Sequence, residues 1–191
     1  MHRSRGPAWV RRPWLEVICS GAMFAGKSTE LLRQLRRAQF GGARVLLVRP
    51  ALDDRGFLTH DGVGEDPGVP VQVARELGGL GVAVLGQDVV GIDEGHFFKP
   101  GDLALAVEAL LEARTTVLIA GLTTTAEGEP FPSMSWALDH SDHVTSLSAV
   151  CVGCGGVATR TGRIGEAQDG SGISVGAGDQ YKPFCRSCWS G

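Results

Sequence analysis

The 191-residue sequence has no apolar run of the roughly 20 residues needed to cross a bilayer. It also has no excess of positive charge, since the formal net charge is −3 and the isoelectric point is about 5.9. A protein that binds nucleic acid mainly through phosphate contacts is usually more basic. Residues 1–13 carry arginines but no apolar segment typical of a secretory signal. We therefore expect a cytoplasmic protein that binds neither membrane nor nucleic acid.

Lysine, tyrosine and cysteine are also few, whereas glycine is abundant. Only three of the 18 basic residues are lysines, and there are one tyrosine, five cysteines and 28 glycines. In an intracellular chain five cysteines favour metal binding or chemistry over disulfides. The glycine content predicts tight turns or backbone that approaches a ligand closely. With 43% hydrophobic residues, the chain can bury one ordinary core and carry a small appended module.

Apolar strand patterns alternate with helical patterns between residues 14 and 144. Strands are predicted over 15–19, 43–48, 69–73, 89–93 and 116–120, and helices over 27–40 and 102–113. This alternation predicts an α/β fold in which helices cover both faces of a parallel sheet. Residues 1–13 are predicted to form a basic flexible tail. Residues 145–191 have little apolar content and are predicted to form a separate small module.

A glycine-rich segment between the first strand and the first helix fits G-x-x-x-x-G-K-[ST] at every fixed position. Backbone N–H groups of such a loop converge on phosphate oxygens, and the helix N-terminus favours negative charge. In this pattern Lys27 contacts the β- and γ-phosphates and Ser28 ligates Mg²⁺. The alternative is a chance match, against which the flanking strand and helix argue. The predicted ATP-binding residues of this loop are Gly21, Ala22, Met23, Phe24, Ala25, Gly26, Lys27 and Ser28.

The apolar strand at 89–93 ends in two acids, Asp93 and Glu94. A P-loop enzyme needs an acid at a neighbouring strand end for Mg²⁺, and Asp93 fits that role beside Ser28. Glu94 is then available to accept a proton from an attacking hydroxyl group. Taken alone, two acids after a strand indicate a solvated turn, but the upstream phosphate loop favours the catalytic interpretation. We expect a P-loop sheet of the RecA-like type.

Four of the five cysteines form two C-x-x-C pairs, Cys151 with Cys154 and Cys185 with Cys188. Each pair can offer two thiolates to one metal ion, which predicts a closed, structural zinc site without a catalytic role. Redox pairs or disulfides are the alternatives. The fifth cysteine, Cys19, ends the first strand and is predicted to be a small buried residue.

Together these motifs resemble the type II thymidine kinases, the family found in the animal cytosol and in many bacteria. The likeness covers about residues 14–189. It includes the extended phosphate loop Gly21-Ala22-Met23-Phe24-Ala25-Gly26-Lys27-Ser28-Thr29-Glu30-Leu31, the Asp93-Glu94-Gly95-His96-Phe97 segment, Asp53-Asp54-Arg55, Pro130-Phe131 and the two cysteine pairs. Residues 175–181 look like the lasso with which the family closes over the nucleoside base.

The resemblance implies an ATP-dependent kinase that phosphorylates the 5′-hydroxyl of thymidine in nucleoside salvage for DNA synthesis. It implies that Glu94 is the general base, that Ser28 and Asp93 serve Mg²⁺, and that zinc anchors the lasso. The further ATP-binding residues that it implies are Asp53, Arg55, Asp93, Gly95 and His96. The substrate-binding residues that it implies are Met23, Leu122, Gly172, Ile173, Ser174, Val175, Gly176 and Tyr181. The family is usually tetrameric, so a homotetramer is expected.

The chain departs from the family beside the implied base pocket. Thr123 and Ala126 stand where the family usually carries Asp and a base-stacking Phe, and His96 stands where Gln is common. One alternative is therefore a related P-loop nucleoside kinase with a different acceptor. Another is a P-loop ATPase whose zinc ribbon binds nucleic acid, although the charges of residues 145–191 are nearly balanced.

Overall fold

The computed structural model describes residues 12–51, 67–80, 84, 86–164 and 180–190. The strands are β1 Leu15–Ser20, β2 Val45–Pro50, β3 Val71–Ala74, β4 Val89–Ile92, β5 Thr116–Leu122, β6 His143–Ser146, β7 Ala149–Val150, β8 Val157–Ala158, β9 Arg160–Arg163 and β10 Tyr181–Phe184. The α-helices are α1 Lys27–Phe40, α2 Pro100–Glu112 and α3 Pro132–His140. Short 3₁₀ turns occur at Leu77–Leu80 and Gly95–Phe97.

Six strands form one parallel sheet in the order β3-β2-β4-β5-β1-β6. The predicted α/β fold with a parallel sheet is confirmed. Strand β5 separates β1, which leads into the phosphate loop, from β4, which ends at Asp93. Because all six strands are parallel, their carboxyl ends lie at one edge of the sheet, where ligands bind in open α/β folds.

Helices cover both faces of the sheet, as predicted. Alternate residues of each strand point to opposite faces. Val17 packs in a cluster with α2 and α3, whereas its neighbour Ile18 packs with Leu31 and Leu35 of α1. Helix α1 lies so close to the sheet that a Cβ on Gly91 would be 2.7 Å from Leu35 Cδ1. Glycine in β4 therefore permits the close approach of α1.

Two elements of the sheet domain were not predicted. Helix α3 has only nine residues and begins at Pro132, so its apolar pattern is short. Strand β6 forms the edge of the sheet, and three of its four residues are exposed, which removes the apolar signal of a buried strand. Since β6 runs through Ser146, the expected division between residues 144 and 145 falls inside this strand.

The segment after β6 forms two small antiparallel pairs, β7 with β8 and β9 with β10. Its buried cluster contains Ala158 and Cys151 from this segment and Ala22 from the phosphate loop. The segment therefore shares its small core with the loop. Among the residues that the structure describes, no helix combines the length and apolar character needed to span a membrane.

Candidate active site

The phosphate loop leaves β1 and is held by its own polar groups. Ser20 Oγ accepts a hydrogen bond from the Ala22 N–H at 3.0 Å, and Lys27 Nζ donates to the Ala22 carbonyl at 3.2 Å. Gly26 precedes α1 with a φ of 79°, a conformation that glycine adopts without the steric penalty of a side chain. Phe24 adopts a φ of 61° in the same loop. Such backbone outliers gather at functional sites.

Ser28 and Asp93 meet at the carboxyl ends of β1 and β4. The Ser28 hydroxyl donates to Asp93 Oδ1 at 2.8 Å, although the two residues lie 65 positions apart in the chain. Arg49 Nε lies 3.6 Å from the other carboxylate oxygen, Oδ2, in an ion pair. Hydroxyl and carboxylate oxygens are the ligands that Mg²⁺ prefers. This pair could therefore hold a magnesium ion beside bound phosphates.

Asp93 is almost completely buried. Burial raises the pKa of its carboxyl group, and the Ser28 hydrogen bond and the positive charge of Arg49 oppose that rise. Buried carboxyls with opposing influences of this kind are typical of functional sites. Glu94 follows in a left-handed conformation with a φ of 51°, and its N–H donates to Asp93 Oδ1 at 3.1 Å. The Asp93 carboxylate therefore also fixes the turn that carries Glu94.

The Glu94 carboxylate lies beside His96. Glu94 Oε2 is 3.4 Å from His96 Nδ1, and this same nitrogen accepts the Leu122 N–H at 3.2 Å. The His96 ring packs against Phe97 and Phe131, with centroids 4.2 and 4.7 Å away. His96 is therefore buried among aromatic rings and lies between Glu94 and the end of β5, where Leu122 lies.

Close packing explains the glycine at position 95. A Cβ there would lie 2.6 Å from Ile119 Cγ2 of β5. Gly121 in β5 is under the same restriction, because a Cβ would lie 2.6 Å from Met134 Sδ of α3. These two glycines let the turn that carries Glu94 lie directly on the sheet. For Gly95 the structure thus gives a packing role, whereas its assignment to ATP binding stays a prediction.

Strand β9 docks against the beginning of the phosphate loop. The Thr161 hydroxyl accepts the Met23 N–H and donates to the Gly21 carbonyl, both at 3.0 Å. Arg163 and Thr161 are two residues apart on one face of β9, and Tyr181 is directly opposite Arg163 in β10. Tyr181 therefore shares the face that is turned towards the loop. Its hydroxyl accepts a hydrogen bond from Arg163 Nη2 at 2.8 Å.

The four cysteines of the two C-x-x-C pairs form one cluster. All four Sγ atoms lie within 4.8 Å of one another, and those of Cys154 and Cys185 are 3.7 Å apart. Four sulfurs at about 2.3 Å from a tetrahedral metal ion would be separated by roughly 3.8 Å. All five cysteines are described and none of them forms a disulfide. The cluster could therefore hold one metal ion.

The thiols of this cluster are electrostatically unequal. A hydrogen bond from the Cys185 backbone lowers the pKa of Cys151 to about 6, whereas the neighbouring Cys185 thiol raises the pKa of Cys188 to about 12. Four thiolates repel one another unless a cation lies between them. Cys19 is separate from this cluster, as predicted. It is buried in the sheet core, and burial raises the pKa of its thiol.

The region around Ala126 contacts the last described turn of the chain. Trp189 Nε1 donates to the Ala126 carbonyl at 3.2 Å and to the Thr161 carbonyl at 2.8 Å. The Arg160 guanidinium lies 4.7 Å from the centroid of the Trp189 ring. Trp189 thus joins the segment after β5 to the β9–β10 pair.

Sequence reasoning missed Arg49 and Thr161. Arg49 lies at the carboxyl end of β2, where a charged residue after a buried strand is a usable signal. Thr161 had no local signal, because its partner Met23 is 138 positions away. Residues 1–11 of the predicted tail lie outside the described residues. The same is true of seven predicted site residues, which are Asp53, Arg55, Gly172, Ile173, Ser174, Val175 and Gly176.

The parallel sheet, the phosphate loop that opens α1 and the acid at the end of β4 define an α/β protein of the P-loop class. A family model described as thymidine kinase matches residues 13–189, nearly the whole chain. The chain therefore belongs to the thymidine kinase family. Phosphorylation of thymidine is its general activity, which makes the protein a kinase of nucleotide metabolism.

Proposed function

We propose that the protein transfers the γ-phosphoryl group of ATP to the 5′-hydroxyl of thymidine, yielding thymidine monophosphate and ADP, with Glu94 as the general base. The observation that carries this proposal is the convergence of Ser28, Asp93 and Glu94 at one edge of the sheet. Catalysis of phosphoryl transfer consists mainly of positioning and charge stabilisation.

On the donor side, residues 21–28 bind the triphosphate through backbone N–H groups. Lys27 is buried within the loop, so its charge is available to the phosphates without competing solvent. Mg²⁺, held by Ser28 and Asp93, would neutralise charge on the phosphates. Arg49 adds a positive charge on the other side of Asp93. From the family resemblance we also assign Asp53, Arg55, Gly95 and His96 to the donor side.

Glu94 is the better candidate for the base because Asp93 is already engaged by Ser28 and Arg49. The Glu94 side chain is 22% exposed, so a hydroxyl group of the acceptor can reach it. As the nucleoside oxygen attacks phosphorus, Glu94 would take its proton, and the bond to the ADP oxygen would break. The left-handed backbone at Glu94 and the hydrogen bond from its N–H to Asp93 Oδ1 fix the turn from which this carboxylate extends.

On the acceptor side, we assign Met23, Leu122 and Tyr181 to the nucleoside pocket. The end of β5 contacts the turn that carries Glu94, and the face of β9–β10 with Thr161 contacts the phosphate loop, which supports this assignment. Residues 172–176 complete the pocket in this proposal and close over the base.

We propose that the ion in the four-cysteine cluster is Zn²⁺ with a structural role. Four thiolates in tetrahedral arrangement suit zinc and leave no position for a substrate. It would be bound by Cys151, Cys154, Cys185 and Cys188. As the resemblance implies, we also propose that the protein is cytoplasmic and forms a homotetramer. Analytical ultracentrifugation can test the number of subunits.

The base assignment is tested by Glu94→Gln. This change keeps the size of the side chain but removes its ability to accept a proton, so kcat should fall by about 10²- to 10⁴-fold while ATP still binds. A coupled assay of ADP formation with thymidine measures the fall, and the matched control is Glu108→Gln on the surface of α2. Near-full activity of the Glu94 variant would eliminate Glu94 as the base.

Ala126 supports a second candidate, a nucleoside kinase with another preferred acceptor. A small side chain at this position offers no stacking surface, and base–aromatic stacking contributes about 1–3 kcal/mol. The described structure instead brings Trp189 to the backbone of Ala126. A clear preference for a nucleoside other than thymidine or deoxyuridine would favour this candidate.

A further inference from the structure

Thr161 forms a two-sided hydrogen-bonded contact with the phosphate loop. Its hydroxyl accepts the Met23 N–H and donates to the Gly21 carbonyl, and the residue is only 3% exposed. Both of its partners are backbone groups at the start of the loop, ahead of the N–H groups nearest α1. The first turn of the loop is thus shaped by a side chain from β9 rather than by the sheet alone.

Close packing reinforces this contact. A Cβ on Gly21 would lie 2.3 Å from the Thr159 carbonyl oxygen, so the loop and β9 touch backbone to backbone. Ala22, which is fully buried, packs in one cluster with Cys151 and Ala158. One of the four thiols therefore belongs to the same small core as the phosphate loop.

Few covalent and hydrogen-bonded steps separate Thr161 from the cysteine cluster. The Val152 N–H, next to Cys151, donates to the Pro183 carbonyl at 3.0 Å, and Pro183 is directly opposite Thr161 in the β9–β10 pair. Trp189, next to Cys188, donates through Nε1 to the Thr161 carbonyl at 2.8 Å. Both C-x-x-C pairs thus reach Thr161 through an adjacent residue.

We propose that Thr161 is a positioning residue that couples the four-cysteine site to the phosphate loop, so that an occupied metal site holds the loop ready for a nucleoside triphosphate before any acceptor binds. The inference rests on the proposed function in one respect, the binding of the donor phosphates at residues 21–28. Without the hydroxyl, two buried backbone groups lose their partner and the first turn must rearrange to satisfy them.

The first arm of the test compares variants without nucleoside present. Calorimetric titration with the Mg²⁺ complex of adenylyl imidodiphosphate should show roughly tenfold weaker binding for Thr161→Val, in line with a buried group left unsatisfied. Thr161→Ser keeps the hydroxyl and should bind within about threefold of the wild type. Thr115→Val is the matched control, because Thr115 is equally buried but donates to the Gln87 carbonyl instead. Zinc content by mass spectrometry should be unchanged in all three.

The second arm removes the metal with a chelator. The wild type should lose analogue affinity about tenfold, whereas Thr161→Val should lose little more, because two perturbations of one link are not additive. The coupling would be overturned if Thr161→Val bound the analogue as tightly as the wild type does. It would also be overturned if both proteins lost the same factor of analogue affinity when the metal is removed. If Thr161→Val does not fold, the wild-type arm decides, and unchanged affinity after metal removal overturns it. A wild-type protein that binds no analogue would instead overturn the proposed donor site.

Discussion

The sheet domain and the cysteine module, defined as the described residues 147–164 and 180–190, are stabilised in different ways. The sheet buries two apolar clusters, one on each face, and the largest fully buried side chains of the described residues all belong to it. The buried cluster of the module contains Cys151 and Ala158 and is completed by Ala22 of the phosphate loop. So small a core cannot stabilise a fold alone, and such modules rely on a metal or another cross-link.

This difference separates two tasks in the proposed enzyme. The sheet supplies a rigid edge on which Ser28, Asp93 and Glu94 are fixed by strands. The module supplies a face that docks on the phosphate loop, and in the proposal its order depends on a bound metal ion. If the separation holds, metal removal should disturb the module and the phosphate loop that it contacts but not the sheet core. A cavity in the sheet core should in turn leave the metal site intact.

Metal removal should have the largest effect, and the loss of order should be confined to the module and to the phosphate loop that Thr161 contacts. Apparent zinc-binding free energies of structural sites are about 10–16 kcal/mol, so the module should lose its order without the ion. In hydrogen exchange, amides such as Thr159 and Cys188 should lose most of their protection, while those of β1 and β5 should keep theirs. Added Zn²⁺ is the control and should restore protection. Equal protection with and without metal would remove the distinction between the two regions.

A cavity in the sheet core should have the converse effect. Leu35 is fully buried between α1 and β4, and Leu35→Ala should lower the free energy of unfolding by about 2–5 kcal/mol. Leu105→Ala on α2 is the control, because Leu105 is 70% exposed and its truncation should change stability little. Chemical denaturation measures both. A loss of zinc from the folded Leu35 variant would contradict the separation between the sheet core and the metal site.

The smallest effect is expected at a surface ion pair of the sheet domain. Asp88 accepts hydrogen bonds from the Arg44 backbone N–H and guanidinium, and the guanidinium holds the pKa of Asp88 below its ordinary value. Stabilisation from a lowered carboxyl pKa is present above about pH 4 and is lost as the pH falls through the folded-state pKa. Asp88→Asn should therefore cost less than about 1 kcal/mol at neutral pH.

The pH dependence of that cost provides the check. The difference in stability between wild type and Asp88→Asn should shrink as the pH falls from about 6 to about 3, because the protonated acid resembles the amide. Thermal unfolding at several pH values measures the difference. A difference that grows towards acid pH would show that the pair does not titrate as described.

The sequence predicted the parts of the fold that repeat a local pattern. The helical spacing of Leu31 and Leu35 and the apolar strands β1 and β4 were sufficient to place α1 and the sheet. Helix α3 and strand β6 were missed because the first is short and the second is largely exposed at the edge of the sheet.

The candidate site likewise has contacts that a local motif predicts and contacts that it does not. The phosphate-loop motif predicted that Ser28 would lie near Asp93, because the chemistry of the motif requires it. Thr161 could not be predicted, since nothing near it in the sequence specifies a partner 138 residues away. Long-range docking of the module depends on the finished tertiary structure.

The measurement that tests the central claim most directly is phosphorylation of a panel of nucleosides by the full chain with Mg·ATP. Chromatography should detect one thymidine 5′-monophosphate for each ADP formed, with the highest kcat/KM for thymidine. Glu94→Gln should give neither product at a comparable rate. ADP release without a phosphorylated nucleoside, or a higher kcat/KM for an acceptor other than thymidine, would contradict the account.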